Sequence, residues 1–178
     1  ALLIESAELG PNELVRALSQ PGALEALKMS SLLVGIAAVV NAVIGTFGAI
    51  VMTRSRSPIR SLVSALADLP LAISPVMIGL AFILLLGRDG WLTPLIDALG
   101  ISVLFSFGGL VLATLFVTLP YTIREVAYLL EELGTSEEEA ASTLGATPSQ
   151  VFFHVTLPNI RPAIAHGLVM TAARGLGE

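Results

Sequence analysis

Long stretches without a charged residue constrain this chain more than any other feature of its sequence. Three intervals of 25, 19 and 26 uncharged residues lie between Lys28 and Arg54, between Asp68 and Arg88, and between Asp97 and Arg124. A helix that crosses the hydrocarbon core of a bilayer needs about 20 predominantly apolar residues. The intervals therefore predict three membrane-spanning helices.

The composition agrees with a chain embedded in membrane lipid. Hydrophobic residues make up 54% of the 178 residues and charged residues 13%, whereas a soluble domain is about 25% charged. Membrane helices also tolerate the ten prolines and sixteen glycines, because neighbouring helices can satisfy the freed backbone groups. The predicted fold class is all-α, a polytopic transmembrane helix bundle.

Several function classes are disfavoured by the same counts. A net charge of −5 without a basic tract argues against a nucleic-acid partner. The absence of cysteine excludes disulfides and thiolate metal sites. His154 and His166 are twelve residues apart and lack clustered ligands, so we expect neither a metal site nor a cofactor, and no catalytic residue.

The sequence predicts one transmembrane domain over residues 1–178. Its spans are expected at about 24–52, 61–86, 101–121 and 160–178, with a polar segment at about 122–159. The last apolar stretch is short and stops close to Glu178, and the chain begins at Ala1 without methionine. We therefore expect an internal fragment of a longer protein.

Basic residues between the first two spans predict the orientation. Arg54, Arg56 and Arg60 are clustered there with no acidic neighbour, and such clusters remain in the cytoplasm. By alternation, the polar segment at about 122–159 is also predicted to be cytoplasmic.

Three of the predicted spans contain residues with an expected role in helix packing, in a helix break or in a pathway. In the first span, we expect Asn41 to hydrogen-bond across helices and five small residues to form a packing face, namely Gly35, Ala38, Ala42, Gly45 and Ala49. In the second, Pro70 and Pro75 predict a kinked or broken helix. Ser74 and Pro75 either line a translocation pathway or form a structural kink, and Arg174 in the last span faces a pathway, a partner helix or the outer half of the bilayer.

The cytoplasmic segment has the pattern of two short, capped helices. Ser136 and Glu139 are spaced as a capping box, and Gly145 is expected to end the first helix in a left-handed conformation. Thr147 and Gln150 form a second box, and the helix that follows is predicted to end before Pro158.

These residues resemble the cytoplasmic loop of binding-protein-dependent ABC importer permeases. Glu139-Ala140-Ala141, Gly145 and Leu157-Pro158 match the spacing of the loop's Glu-Ala-Ala, Gly and Leu-Pro positions, and Val155 replaces an isoleucine. The resemblance implies a MetI-like permease fold in the cell (inner) membrane. It also implies that these six residues couple the chain to an ATPase.

Other segments narrow the resemblance to the sulfate/thiosulfate permeases, and within them to the W-type subunits. They are 68–76, 90–92, 116–120 and 173–178. Molybdate and tungstate relatives tend to have proline at the position of Ser74, so the serine favours sulfate, with molybdate or tungstate as the alternative.

The resemblance implies a transport subunit and not an enzyme. A second permease subunit, cytoplasmic ABC ATPase subunits and an extracytoplasmic sulfate-binding protein are the expected partners. The sequence contains no phosphate-binding loop of its own. A non-transport membrane scaffold is the remaining alternative, whereas a secondary transporter would need ionisable groups within the three uncharged intervals.

Overall fold

Helices account for the regular structure of the described chain. A computed structural model describes residues 21–55, 58–87, 90 and 106–176, and no strand occurs within these ranges. The α-helices are α1 (Pro21–Arg54), α2 (Ile59–Ala72), α3 (Pro75–Leu86), α4 (Phe107–Leu133), α5 (Ser136–Thr143), α6 (Pro148–Val151) and α7 (Leu157–Leu176). A π-helical turn (Phe152–Thr156) joins α6 to α7. The all-α prediction is confirmed.

Helices α1, α4 and α7 pack against one another and form the centre of the bundle. Both α1 and α4 are long and apolar enough to cross a membrane. Helix α2 packs on α1 and α4, and α3 contacts α4. The largest buried apolar cluster lies where these helices converge, and consists of Ala49, Ala67, Ile123, Val126, Ala127, Leu130, Ile160 and Ala163.

Helix α4 does not stop at residue 121, where the third span was predicted to end. It continues to Leu133, because Val126, Ala127 and Leu130 recur at helical spacing and are buried in the core. The start predicted at residue 101 lies outside the described residues. The positions at which the helices enter and leave the bilayer stay predictions.

The predicted break in the second span is confirmed. Helix α2 ends at Ala72, and Ile73 and Ser74 are extended, each with ψ of 141°, before α3 begins at Pro75. A residue that precedes proline is pushed out of the helical region by contact with the proline ring. The break therefore follows from Pro75, whereas Pro70 lies inside α2 without ending it.

Thr122 of α4 lies in close contact with both α1 and α7. A Cβ placed on Gly45 of α1 would be 2.8 Å from Thr122 Cβ, and one on Gly167 of α7 would be 2.9 Å from Thr122 Cα. The predicted packing face is therefore confirmed at Gly45, whereas a Cβ on Gly35 would meet nothing within 4 Å among the residues that the structure describes. The buried face of α1 is rotated towards Ala37 and Asn41.

A buried hydrogen bond joins α1 to α4, as the sequence predicted for Asn41. Asn41 Nδ2 donates to Thr118 Oγ1 at 2.7 Å, and Thr118 Oγ1 donates to the carbonyl oxygen of Thr114 at 2.6 Å. Thr114, Thr118 and Thr122 are spaced four residues apart and are all buried. Thr118 satisfies a polar group between helices while it remains small enough for close packing, whereas Thr122 Oγ1 is buried without a hydrogen-bond partner in the described chain.

Replacing Asn41 by leucine is expected to destabilise the bundle by about 1 kcal/mol, since interhelical hydrogen bonds in membranes contribute about 0.6 to 1.7 kcal/mol. Thermal unfolding of the detergent-solubilised chain measures this effect. A double-mutant cycle with Thr118→Val isolates the pair. Additive effects of the two substitutions would contradict an energetic contribution from this bond.

Candidate functional site: the helical corner at the end of the bundle

Two short helices and a π turn form a bent segment beyond the end of α4. We call this segment, residues 136–156, the helical corner. Its first helix, α5, has Glu137, Glu138 and Glu139 in its first turn, where negative charge interacts favourably with the positive end of the helix dipole. The prediction of a separate short helix at this position is confirmed.

The cap of α5 differs from the predicted one by one residue. Thr135, not Ser136, occupies the N-cap, and Ser136 is the first helical residue. The Thr135 hydroxyl donates to Glu139 Oε1 at 2.7 Å, and no side chain caps the backbone. The predicted Ser136–Glu139 capping box was therefore wrong, because two adjacent hydroxyl residues both satisfy the sequence pattern.

Gly145 ends α5 in the left-handed conformation that the sequence predicted. Its φ is +89°, its N–H donates to the carbonyl of Ser142 at 3.0 Å, and the N–H of Ala146 donates to Ala141 at 3.1 Å. This pair of bonds is a Schellman motif, which satisfies the last carbonyls of a helix and turns the chain sharply. Residues with a Cβ rarely adopt this φ.

The second helix begins with the predicted capping box. Gln150 N–H donates to Thr147 Oγ1 at 3.4 Å, and Thr147 N–H donates to Gln150 Oε1 at 2.8 Å. Pro148 occupies the first helical turn, where its missing N–H leaves no hydrogen bond unmade. The corner therefore turns at Gly145 and restarts immediately at Thr147.

The predicted end of the second helix before Pro158 was wrong. The backbone passes through the π turn and continues as α7 to Leu176. Leu157 N–H bonds to the carbonyl of Phe152, five residues back. This wider turn admits Pro158 near the start of α7, so the rule that proline ends a helix does not apply here.

Polar contacts join α5 to the ends of the bundle helices. Arg54, in the last turn of α1, lies with Nε 3.3 Å from Glu138 Oε2. Thr156 Oγ1 donates to Glu138 Oε1 at 2.9 Å, and Asn159 Nδ2 donates to Glu137 Oε2 at 2.6 Å. No local sequence pattern relates Glu138, Thr156 or Asn159 to Arg54, whose only predicted significance was to mark the orientation of the chain.

Aromatic and apolar contacts hold the corner from its inner side. Phe47 of α1 stacks on Phe152 of the π turn, with ring centroids 6.2 Å apart. An open cleft of about 670 Å³ lies between α5, α6 and the ends of α1 and α4, and Ile50, Leu130 and Phe152 line it together with Arg54. The corner is therefore fixed to the bundle by both its charged and its apolar residues.

The predicted coupling residues fall into two groups. Glu139, Ala140 and Gly145 are exposed and Ala141 is half-buried on the corner. Leu157 and Pro158 are half-buried where α7 begins, between the corner and the bundle. Leu144, next to Gly145, is 90% exposed, which makes it the most prominent apolar side chain of the corner.

The predicted pathway residues lie on other elements. Ser74 is exposed at the break between α2 and α3, and α3 begins at Pro75. Arg174 is in the last turn of α7, at the opposite end from the corner, with its Nε buried and without a hydrogen-bond partner in the described chain. The structure does not bring these residues into the corner.

Two further polar pairs join neighbouring helices outside the corner. Asp68 of α2 accepts a hydrogen bond from Arg124 of α4, and Glu125 of α4 contacts His166 of α7 at 2.9 Å. Asp68 and Arg124 therefore form an ion pair between α2 and α4. Within residues 21–55, 58–87, 90 and 106–176, no group of three acidic or histidine side chains could hold a metal ion.

Comparison with protein families gives a match over most of the chain. Residues 41–178 match the model for a binding-protein-dependent transport system inner membrane component. The match includes the whole helical corner, the Ser74 break and the three central helices from residue 41 onwards.

Individual relatives are also similar over most of this chain. It is 47% identical to sulfate permease 2, chloroplastic, of Chlamydomonas reinhardtii, over 90% of this chain and 43% of that protein. It is 46% identical to the sulfate transport system permease protein CysW of Synechococcus elongatus, over 86% of this chain and 54% of that protein. The sulfate transport system permease protein CysT of Escherichia coli is 35% identical to it, over 100% of this chain and 64% of that protein. The chain spans about half the length of the relatives that it matches.

Proposed function

The chain belongs to the family of binding-protein-dependent transport system inner membrane components, and from this membership we propose that it forms part of the membrane channel of an ATP-driven sulfate importer. The helical corner is its contact with the ATPase subunit. Sulfate or thiosulfate would pass between this chain and a second permease subunit.

The observation that supports a coupling role is the number of specific interactions that fix the backbone of the corner. A loop that only connects two helices does not need a Schellman turn, a capping box and an ion pair to a neighbouring helix. Such a segment can transmit force because few of its backbone torsions are free to absorb a displacement. The exposed Ala140 and Gly145 leave room for close contact with a partner.

The names of the relatives support sulfate as the substrate. Proteins named as sulfate permeases match this chain at 35–47% identity. Uptake of radiolabelled sulfate by cells that produce the full-length protein with its partners tests the proposal. We expect uptake that thiosulfate inhibits and molybdate does not. Strong competition by molybdate would favour the molybdate or tungstate alternative.

The partners follow from the same membership. We propose a heterodimer with a second permease subunit, since proteins named CysW and CysT both resemble this chain. Cytoplasmic ABC ATPase subunits and an extracytoplasmic sulfate-binding protein complete the importer, in which this chain is a multi-pass subunit of the inner membrane. ATPase activity should co-purify with the tagged full-length chain, whereas no such activity would co-purify with a membrane scaffold.

Ser74 and its neighbouring backbone are proposed to contact the anion weakly at the break between α2 and α3. Backbone groups released by a broken helix can line a polar cavity at membrane depth. Replacing Ser74 by valine is expected to reduce sulfate uptake by about threefold to tenfold, the effect of losing one weak hydrogen bond of about 1 kcal/mol. Ser61→Val, on the exposed side of α2, provides the control. Unchanged rate and selectivity in the Ser74 variant would remove support for this contact.

A further inference from the structure

Arg54 occupies a position at which three helix ends meet. It lies in the last turn of α1, its Nη2 donates to the carbonyl of Gly134 after the end of α4 at 2.5 Å, and the same group lies 3.5 Å from Glu138 Oε1 in the first turn of α5. One guanidinium therefore contacts both the chain leaving α4 and the helix that begins the corner.

The ion pair between Arg54 and Glu138 is more sheltered than the other described acid–arginine pair. Its side chains are 23% and 24% exposed, whereas those of Arg124 and Asp68 are 55% and 57% exposed. Exposed pairs contribute little because water and salt screen them. Removal of one partner from a sheltered pair leaves the other charge poorly solvated.

Glu138 also connects the two ends of the corner. Its Oε1 accepts a hydrogen bond from Thr156, the last residue of the π turn, while its Oε2 faces Arg54. The neighbouring Glu137 and Glu139 pair with uncharged partners, Asn159 and Thr135. Among the three glutamates of the α5 first turn, Glu138 is the one that contacts a bundle cation in the part of the chain that the structure describes.

We propose that Arg54 and Glu138 are positioning residues that hold the helical corner in a fixed orientation on α1, so that movement of the corner moves α1. This inference rests on the proposed function, because it assigns the link through which docking at the corner would reach the transmembrane helices. The pair itself touches neither the substrate nor ATP.

The test uses the full-length chain in its complete importer, reconstituted in vesicles, with sulfate uptake and ATP hydrolysis measured together. Arg54→Met and Glu138→Gln each remove one charge with little change of shape. We expect sulfate transported per ATP hydrolysed to fall by about tenfold in each, within the range for residues that mediate coupling. The exchanged pair Arg54→Glu with Glu138→Arg should recover part of the sulfate transported per ATP, because it restores the ion pair but not the bonds to Gly134 and Thr156.

Matched controls separate the ion pair from general effects of charge. Arg60→Met removes an exposed arginine from the same side of the bundle, and Glu132→Gln removes an exposed acid near the end of α4. Both should leave the amount of sulfate transported per ATP hydrolysed unchanged. If Arg54→Met lowers the amount of chain in the membrane, Glu138→Gln and Thr156→Val test the same link without altering a basic residue.

The outcomes distinguish this inference from the proposed function. Wild-type transport ratios in the Arg54 and Glu138 variants would overturn the inference. A parallel loss of uptake and ATP hydrolysis that the exchanged pair does not rescue would also overturn it, since it would indicate a structural role alone. Failure of the unaltered importer to bind an ATPase or take up sulfate would instead contradict the proposed function.

Discussion

Replacing Gly167 by valine is expected to destabilise the bundle by about 3 kcal/mol, at the upper end of the usual cost of overpacking. A Cβ at this position would be 2.9 Å from both Cα and Oγ1 of Thr122. Thr122 cannot shift freely to make room, because Gly45 of α1 is packed against its Cβ and Cγ2. The unfolding temperature of the detergent-solubilised chain should fall by about 10 °C.

Gly35→Val is the matched control for this substitution. Gly35 also lies inside a long helix, but a Cβ there would meet no described atom within 4 Å. Its replacement should change the free energy of unfolding by less than about 0.5 kcal/mol. Equal unfolding temperatures in the two variants would contradict the close approach of α7 to α4.

Replacing Gly145 by proline is expected to abolish sulfate uptake while the chain remains in the membrane. Proline fixes φ near −65°, whereas Gly145 has φ of +89°. Proline also removes the N–H that donates to Ser142. The corner can no longer turn as it does, at a cost of more than about 1 kcal/mol, and the ATPase should dissociate or hydrolyse ATP without transport. Aspartate at this position should have the same functional effect by placing a charged side chain on the docking surface.

Gly145→Asn separates backbone geometry from contact with the partner. Asparagine adopts positive φ more readily than other residues with a Cβ, so it should preserve the turn and retain more uptake than proline. In all three variants, the amount of chain in the membrane and the amount of ATPase that co-purifies with it are measured. Normal uptake by the proline variant would contradict the role of the corner in coupling.

The features that could be predicted from the sequence are those with local causes. The uncharged intervals predicted the apolar helices, Pro75 predicted the break at Ile73 and Ser74, and Gly145 predicted the turn. Each depends on residues close together in the chain, whose backbone preferences do not need a tertiary partner. The position of Asn41 between helices was predictable for a similar reason, because an amide in an apolar helix needs a buried partner.

The errors and omissions arise where distant residues decide the outcome. A helix was expected to end before Pro158. Instead, the π turn packs against α1 and the backbone stays helical through Pro158 into α7. Arg54 and Glu138 are 84 residues apart, so no local pattern relates them. The buried threonines of α4 did have a signal, since their spacing of four residues identifies one helix face.

The continuity of the chain from Pro148 through the π turn to Leu176 has a mechanical consequence. At about 1.5 Å per residue, this segment is a rod of about 43 Å, and Gly167 holds it against Thr122 about two thirds of the way along. The same helix is also held on either side of Gly167, because Ile160 and Ala163 lie in the buried cluster and a Cβ on Gly175 would be 2.8 Å from Val34 Cγ2. A displacement applied at Pro148 would therefore pass to α1 and α4 along the whole length of α7, and not at the corner alone.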